Sequence, residues 1–409
     1  MGDGGMGKLR ISKEFENCEC INNRRNIEIG VPQIENIGWS LGNACPYNCK
    51  HCYSRSVRKQ GKNLTKEIID RIISQISKLN VKTINLGGNE PWFTNGLYGE
   101  SLLPYILEQL NTRGYKVGIT TSGISLLNIC KYSPESLKYI NDIDISLDSP
   151  NEKEHNESRG ANIYKLAIES LKIAQKHNIE HSIIICAMKW NFTLDNLDKL
   201  IDLAIKYDAN IRFNVLKPLE KKHMEMLVPM EQFYKGYEYL LNHCETIDIT
   251  EPRLSSLVRN KKRYSCPCGN TSMRIHSITP EGEVFVSPCI YLHDFKVGDL
   301  LKDDIIDIIT SEPFQNMQIR NYYYRDILDC SDCKYGEICG GGCAAQAYLT
   351  NYWRNGKRSL LTHEEDCLKF LESNIDVSNY SKIMADDGQL VHINYLCTWI
   401  GKPHKDYRR

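Results

Sequence analysis

The sequence predicts an α/β protein in which six βα units curl into a full or partial barrel, followed by a smaller cysteine-rich domain. Three observations carry this expectation. From about residue 36 to 250 short β-branched runs alternate with longer segments of helical period, the pattern of repeated βα units. After about residue 250 the alternation gives way to short strands, turns and cysteines, up to about residue 375. The chain has 409 residues, of which 41 % are apolar, enough for one large packed domain and a smaller one.

Residues 1–35 form an N-terminal extension whose first seven residues are Gly-rich. The strand candidates then follow at 36–41, 81–86, 115–120, 141–147, 181–188 and 209–216. Amphipathic helices lie between them. In "LTKEIIDRIISQISKL" the residues Ile68, Ile69, Ile72, Ile73 and Ile76 recur on one face. Parallel strands joined by right-handed helical crossovers place their working loops at the C-terminal strand ends. Residues 36–250 are therefore read as the barrel, 251–375 as the cysteine-rich domain and 376–409 as a tail. Within the tail, "LVHINYLCTWIG" reads either as an edge strand that binds a partner or as a segment packed on the barrel.

Lys plus Arg and Asp plus Glu number 51 each, so no global charge draws the chain to nucleic acid or an anionic membrane. The first residues lack the apolar core of a secretion signal, and no run approaches the ~18 apolar residues of a membrane span. A cytoplasmic location is expected. The chain holds 17 cysteines, and without a secretion signal metal ligation explains a cluster of them better than disulfides do. Cys130 and Cys186 sit in apolar runs and are expected to be small buried apolar residues. Cys18, Cys20, Cys244 and Cys397 carry no assignment.

Three cysteines, Cys45, Cys49 and Cys52, fall in "GNACPYNCKHCYSRS", directly after the first strand. Three thiolates hold three irons of a four-iron cluster, which normally takes four, and so leave one iron open. A structural zinc would need a fourth ligand close by; His51 is available but lies between two of the thiols. A second field supplies Cys266, Cys268, Cys289, Cys330, Cys333, Cys339, Cys343 and Cys367, with Gly340 to Gly342 permitting a tight wrap. Eight thiols complete two four-cysteine sites, for iron clusters or for two zincs.

The first loop resembles the CxxxCxΦC motif of the radical S-adenosylmethionine (SAM) superfamily, with His51 in the Φ position. The resemblance implies a partial (β/α)6 TIM-like barrel and a cluster whose open iron chelates SAM and splits it to a 5'-deoxyadenosyl radical. "LGGNEP" resembles the turn that holds the SAM amino group, which implies roles for Gly87, Gly88 and Asn89 or Glu90; Asn89 is an extra residue relative to that pattern. "SLDSPNEKEHNESRG" is similar to a stretch that would set Ser146 and Asp148 near the ribose and Arg159 on the SAM carboxylate.

The second field resembles the SPASM extension, which binds two further clusters. It implies that Cys268, Cys289 and Cys343, with Cys266 as fourth ligand, hold the first, and that Cys330, Cys333, Cys339 and Cys367 hold the second. Three 4Fe-4S clusters are thus expected in all. The gap from Gly282 to Cys289 is two residues longer than the pattern, so a bulge is expected there.

The resemblance to SPASM proteins with two full cysteine sets implies a peptide substrate, a ribosomally made precursor, with a crosslink, an epimer or a backbone excision as the outcome. Alternatives are a tyramine-excising splicease, an anaerobic sulfatase maturase and a small-molecule radical SAM dehydrogenase. Sulfatase maturases carry a catalytic Asp directly after the cysteine equivalent to Cys289; here Ile290 follows, and Asp294 lies further on. An undecided thiol such as Cys397 would suit the hydrogen donor that epimerisation needs. Some 35 residues before the first strand are too few for a leader-binding module of ~80 residues, so a separate small leader-binding protein or the tail would serve. The resemblance also implies an electron donor of flavodoxin or ferredoxin type. Tyr322, Tyr323 and Tyr324 read either as a stretch lining a peptide groove or as surface packing beside the cluster domain. A non-enzymatic iron or zinc protein would close every metal site, and an RNA-modifying enzyme would show a basic tract.

Overall fold

The structure, a computed structural model, describes residues 30–54, 59–243, 248–249, 251–254, 266–292, 295–322, 325, 330–367, 369 and 398–403. Cys18, Cys20, Cys244, Asp294, Tyr323, Tyr324 and Cys397 lie outside the described residues.

Six βα units build the body. In chain order they are β1 (Asn36–Ser40), α1 (Lys66–Ile76), β2 (Thr83–Gly87), α2 (Leu103–Thr112), β3 (Lys116–Thr121), α3 (Ile124–Tyr132), β4 (Asp142–Ser146), α4 (Glu152–Arg159), α5 (Tyr164–Lys176), β5 (Glu180–Ala187), α6 (Leu194–Lys206), β6 (Asn210–Val215) and α7 (Met230–Leu241). Then come β7 (Asp248–Ile249), β8 (Ser272–Ile275), β9 (Val286–Ser287), α8 (Ile305–Thr310), α9 (Glu312–Tyr322), α10 (Gly336–Cys339), α11 (Ala344–Asn355) and β10 (Thr398–Gly401). The single sheet has the order β7-β10-β6-β5-β4-β3-β2-β1-β8-β9, with β1 to β6 parallel. It is open, as a partial barrel requires, and the expected α/β class holds.

Two pairings go beyond the sequence reading. β8, which follows the six units, pairs in parallel with β1, so the cysteine-rich segment continues the sheet. β10 of the tail pairs antiparallel with both β6 and β7. Of the tail stretch "LVHINYLCTWIG", only Thr398–Gly401 lie among the described residues, and they pair between β6 and β7 instead of at the sheet edge.

Strand parity sorts the residues. Ile37 and Trp39, Ile84 and Leu86, Val117 and Ile119, Ile143 and Ile145, Ile183 and Ile185, Ile211 and Phe213 are all buried in one core with the helices. The alternate positions, Ile184 apart, are polar or small, and several bond across strands on the inner face. Asn36 donates to the Thr83 hydroxyl at 2.5 Å, and Asn85 to that of Thr120 at 3.1 Å. Arg212 on β6 reaches Asp142 and Asp144 on β4 at 2.9 and 3.0 Å, all three fully buried. A parallel sheet covered by helices on one side and lined by polar groups on the other reads as strict alternation.

Helix α1 shows the local logic. Thr65 caps it by accepting from the Ile68 amide, and Ile69, Ile72, Ile73 and Ile76 bury one face. Ile68 only borders that core, because at 100° per residue five isoleucines span more than the buried stripe. In the cysteine-rich part the thiols of Cys266, Cys268, Cys289 and Cys343 lie in a shell of Leu292, Phe295, Met317, Tyr348 and Leu360. Gly340, Gly341 and Gly342 have φ of 59°, 82° and 83°, which folds the chain back between Cys339 and Cys343 without a Cβ clash. Among the described residues, no helix is long and apolar enough to cross a membrane.

Candidate active site

An open cavity of about 180 Å³ lies at the C-terminal ends of the strands. Its wall takes one contribution from nearly every unit. After β1 come Cys45, Cys49, His51 and Cys52; after β2 Gly87, Gly88, Asn89 and Glu90; then Thr120 to Ser122, Ser146 and Arg159, Cys186 on β5, and Asn214 to Lys217 at the end of β6. Arg274 of β8, with Ile290 and Tyr291 directly after Cys289, closes the side towards the second cysteine field.

The three-cysteine loop is pinned on both flanks. The Lys50 amide donates to the Ser158 carbonyl at 3.0 Å, the Lys50 carbonyl meets His223 at 3.1 Å, and Gly160 packs on the Asn48 carbonyl so closely that a Cβ would not fit. On the other flank Asn89 donates to the Gly42 carbonyl at 2.9 Å and accepts from Ser54 at 3.2 Å. The register Ser40 to Gly87 between β1 and β2 brings this loop beside the glycine turn. Gly88 has φ +89°, and a Cβ there would stand 2.5 Å from that of Ser40, so the turn requires glycine.

The extra residue in that turn acquires a clear role. Asn89 holds the cysteine loop, whereas the Glu90 carboxylate turns towards β3. It accepts from the Thr121 hydroxyl at 2.6 Å, the Ser125 hydroxyl at 2.9 Å and the Ser122 amide at 2.7 Å. Tyr47 lies nearby; burial first, and then the charge of Glu90, push its hydroxyl up to about 12.

Asp148, expected beside the ribose, does not line the cavity. It is fully buried behind Arg159, whose Nε is 2.7 Å from its Oδ2, and its Oδ1 accepts from the Cys186 amide at 3.0 Å. The physical reason is charge: Asp148 shares the inward parity of Ser146 but is drawn under the helix α4 arginine. His51 Nε2 is 3.6 Å from the same carboxylate. Burial holds the His51 imidazole down to about 4, so it stays neutral at pH 7. Arg159 itself sits against the Cys49 thiol at the cavity wall.

Cys186 differs from its expectation as an apolar filler. It occupies the inner face of β5 with Ser182 and Ile184 and lines the cavity. The signal was present in the alternation of "HSIIICAM", where Ser182 fixes the inward parity and Cys186 shares it. Burial, then Asp148, raise its thiol pKa far above the usual range. Cys130, by contrast, is a partly buried neighbour of the apolar core.

In the second field Cys268 hydrogen-bonds with both Cys266 and Cys289, and Cys343 lies within their electrostatic reach. Burial first, then those neighbours against Lys217, push Cys343 up to about 12. Cys266 thus stands with the other three thiols. Cys330 and Cys333 are joined by a one-turn bond from the Cys333 amide to the Cys330 carbonyl at 3.3 Å, and Cys367 faces Cys333. Among the described residues no three His, Cys, Asp or Glu close on one point as a single ion needs. A four-iron cluster spreads its ligands over a larger body and does not require such closure.

Three thiols thus share a cavity wall with an arginine and a glycine turn, and Ile290 and Tyr291 border the same cavity next to Cys289. The family model described as Radical SAM superfamily matches residues 39–204, and that described as Iron-sulfur cluster-binding domain, SPASM, matches residues 266–334. Residues 39–204 thus carry a radical SAM domain and residues 266–334 a SPASM domain; the protein is an enzyme that binds SAM and iron–sulfur clusters.

Among relatives, it is 24 % identical over 326 residues to the mycofactocin maturase MftC of Mycolicibacterium smegmatis, covering 76 % of this chain and 78 % of that protein. It is 26 % identical over 323 residues to a probable GTP 3',8-cyclase of Methanococcus vannielii, covering 72 % and 94 %. In fold it is similar to Streptococcus suis SuiB bound to the precursor peptide SuiA, with a TM-score of 0.62, 17 % identity and 83 % and 77 % of the two chains covered.

Proposed function

We propose that this enzyme is a peptide maturase: it cleaves SAM reductively and takes a hydrogen atom from a residue of a ribosomally made precursor peptide, leaving a crosslink, an epimer or a backbone excision. The observation that carries the reading is the cavity walled on one side by the three-cysteine loop and on the other by the residues beside Cys289. Its relatives include a mycofactocin maturase, and its fold neighbours include SuiB with a precursor peptide bound.

Cys45, Cys49 and Cys52 would hold the SAM cluster; Cys266, Cys268, Cys289 and Cys343 a second; and Cys330, Cys333, Cys339 and Cys367 a third. A cluster at the first site supplies the electron that splits SAM. The chain's own residues do the rest. Arg159, oriented by Asp148, would hold the SAM carboxylate, and Gly87, Gly88 and Asn89 would let the backbone approach the amino group. Ser146 would border the ribose, and Tyr47, Thr120 and Ile184 line the same cavity. An electron donor of flavodoxin or ferredoxin type and a separate leader-binding protein complete the system.

Ile290 lines the wall where a sulfatase maturase carries its Asp, which disfavours that alternative. The likeness to a GTP cyclase keeps a nucleotide substrate as the second reading. Reconstitution with iron and sulfide, followed by dithionite and SAM under anaerobic conditions, tests the proposal. About twelve irons per chain, 5'-deoxyadenosine as product, and a mass change in a peptide encoded beside the enzyme are expected. Zinc in place of iron, or turnover of GTP and of no peptide, would overturn it.

A further inference from the structure

The cavity wall away from the three-cysteine loop carries a buried cation without a close partner. Lys217 follows β6, lines the cavity and is only 7 % exposed. Among the described residues its ammonium makes no hydrogen bond or ion pair. Cys343, Glu364 and Glu251 lie within its electrostatic reach. The two carboxylates give their close contacts to Arg253, at 3.1 and 3.2 Å. They supply a field to Lys217 and no ligand. Arg274 stands in the same wall, 2 % exposed, its guanidinium filling the space that Gly38 leaves.

A charge removed from water is normally met by a counter-group. Here the cavity is the space where one can arrive. SAM has a nearer cation for its own carboxylate in Arg159, which touches Cys49, whereas the charged neighbours of Lys217 belong to the Cys343 side.

We propose that Lys217 anchors the substrate through a carboxylate, carried by an acidic side chain or by the C-terminus of the peptide, between the SAM loop and the Cys266, Cys268, Cys289 and Cys343 thiols. This rests on the peptide reading above. An ammonium is a point charge with three donors and accepts either source. Cys186 lines the same cavity.

The test uses the reconstituted holoenzyme with SAM present and two pools of synthetic octapeptides. The acid pool has free C-termini and contains Asp and Glu; the neutral pool is amidated and has Asn and Gln instead. Bound peptides are separated by rapid ultrafiltration and quantified by mass spectrometry. Enrichment of the acid pool by about tenfold or more is expected, lost in Lys217→Gln and kept in Lys217→Arg, with iron per chain confirming that each variant is loaded. Subpools with only side-chain or only C-terminal acids identify the carboxylate.

Equal retention of both pools by the wild type, or an acid preference that survives Lys217→Gln, overturns the anchor and leaves the peptide reading standing. Retention of neither pool overturns the peptide reading and the anchor with it. A matching loss of SAM affinity in Lys217→Gln without peptide assigns the ammonium to SAM and likewise overturns the proposal.

Discussion

Replacing Asp148 by Asn removes one charge of a buried pair and leaves the other in place. Arg159 Nε stands 2.7 Å from Asp148 Oδ2, with side-chain exposures of 11 % and 0 %. At that separation the attraction is about 6 kcal/mol for an effective dielectric of 20. Asn keeps the shape and still accepts from the Cys186 amide, so the loss is confined to the charge. Breaking one side of such a pair costs about 3–5 kcal/mol; because Arg159 retains some contact with the cavity, about 3 kcal/mol is expected. Thermal unfolding of the anaerobic protein should therefore fall by about 3–4 °C.

The double variant Asp148→Asn, Arg159→Gln should recover much of the loss, since it leaves no unpaired charge. Burial alone would raise the Asp148 pKa, but Arg159, His51, His155 and the Cys186 amide together hold it below the usual range. A depressed carboxylate stabilises the fold above its unfolded pKa and loses that contribution as pH falls through the folded value. The wild type and Asp148→Asn should accordingly converge in acid. A loss below about 1 kcal/mol at pH 7, or a double variant no better than the single one, would refute the assignment of Arg159 to this carboxylate.

Three further outcomes are expected. Joint replacement of Cys45, Cys49 and Cys52 by Ala should abolish SAM cleavage while about eight irons remain; retained 5'-deoxyadenosine formation would contradict the site. Gly88→Ala must place a Cβ against Ser40 at φ +89°, a strain of about 1–3 kcal/mol, read as a lower unfolding temperature and weaker SAM binding in calorimetry. His155 is held down to about 4, first by burial and then by Arg159. It is neutral in the fold while the unfolded imidazole protonates near pH 6.5, so stability falls as pH drops from about 6.5 to about 4, by about 2 kcal/mol between pH 7 and 5. Denaturant unfolding at the two pH values checks this, and a flat profile would count against it.

The sequence by itself determined the chemistry and most of the frame. Thiol spacing is local, so Cys45, Cys49 and Cys52 on one loop, and Cys330, Cys333 and Cys339 around a glycine turn, are legible without coordinates. Period and alternation likewise fix six strands and the helices between them, because burial acts residue by residue. What only the tertiary structure decided are the meetings across strands. Glu90 and Asn89 differ by one position, yet one bonds to the β3 turn and the other to the cysteine loop. Asp148 looked like a ligand-facing residue because its stretch resembled one, but the buried arginine beside it claims the carboxylate.

Cys186 was misread because apolar neighbours suggest a core residue, whereas the inward parity of β5 sets it in the cavity. Lys217 offered no motif at all; a lysine after a strand gains meaning only when the fold buries its ammonium beside an open space. β8 and β10 join the sheet through partners more than a hundred residues away. Such pairings are selected by which edge is left open once the six units have closed round, and the local pattern of four residues carries no record of that.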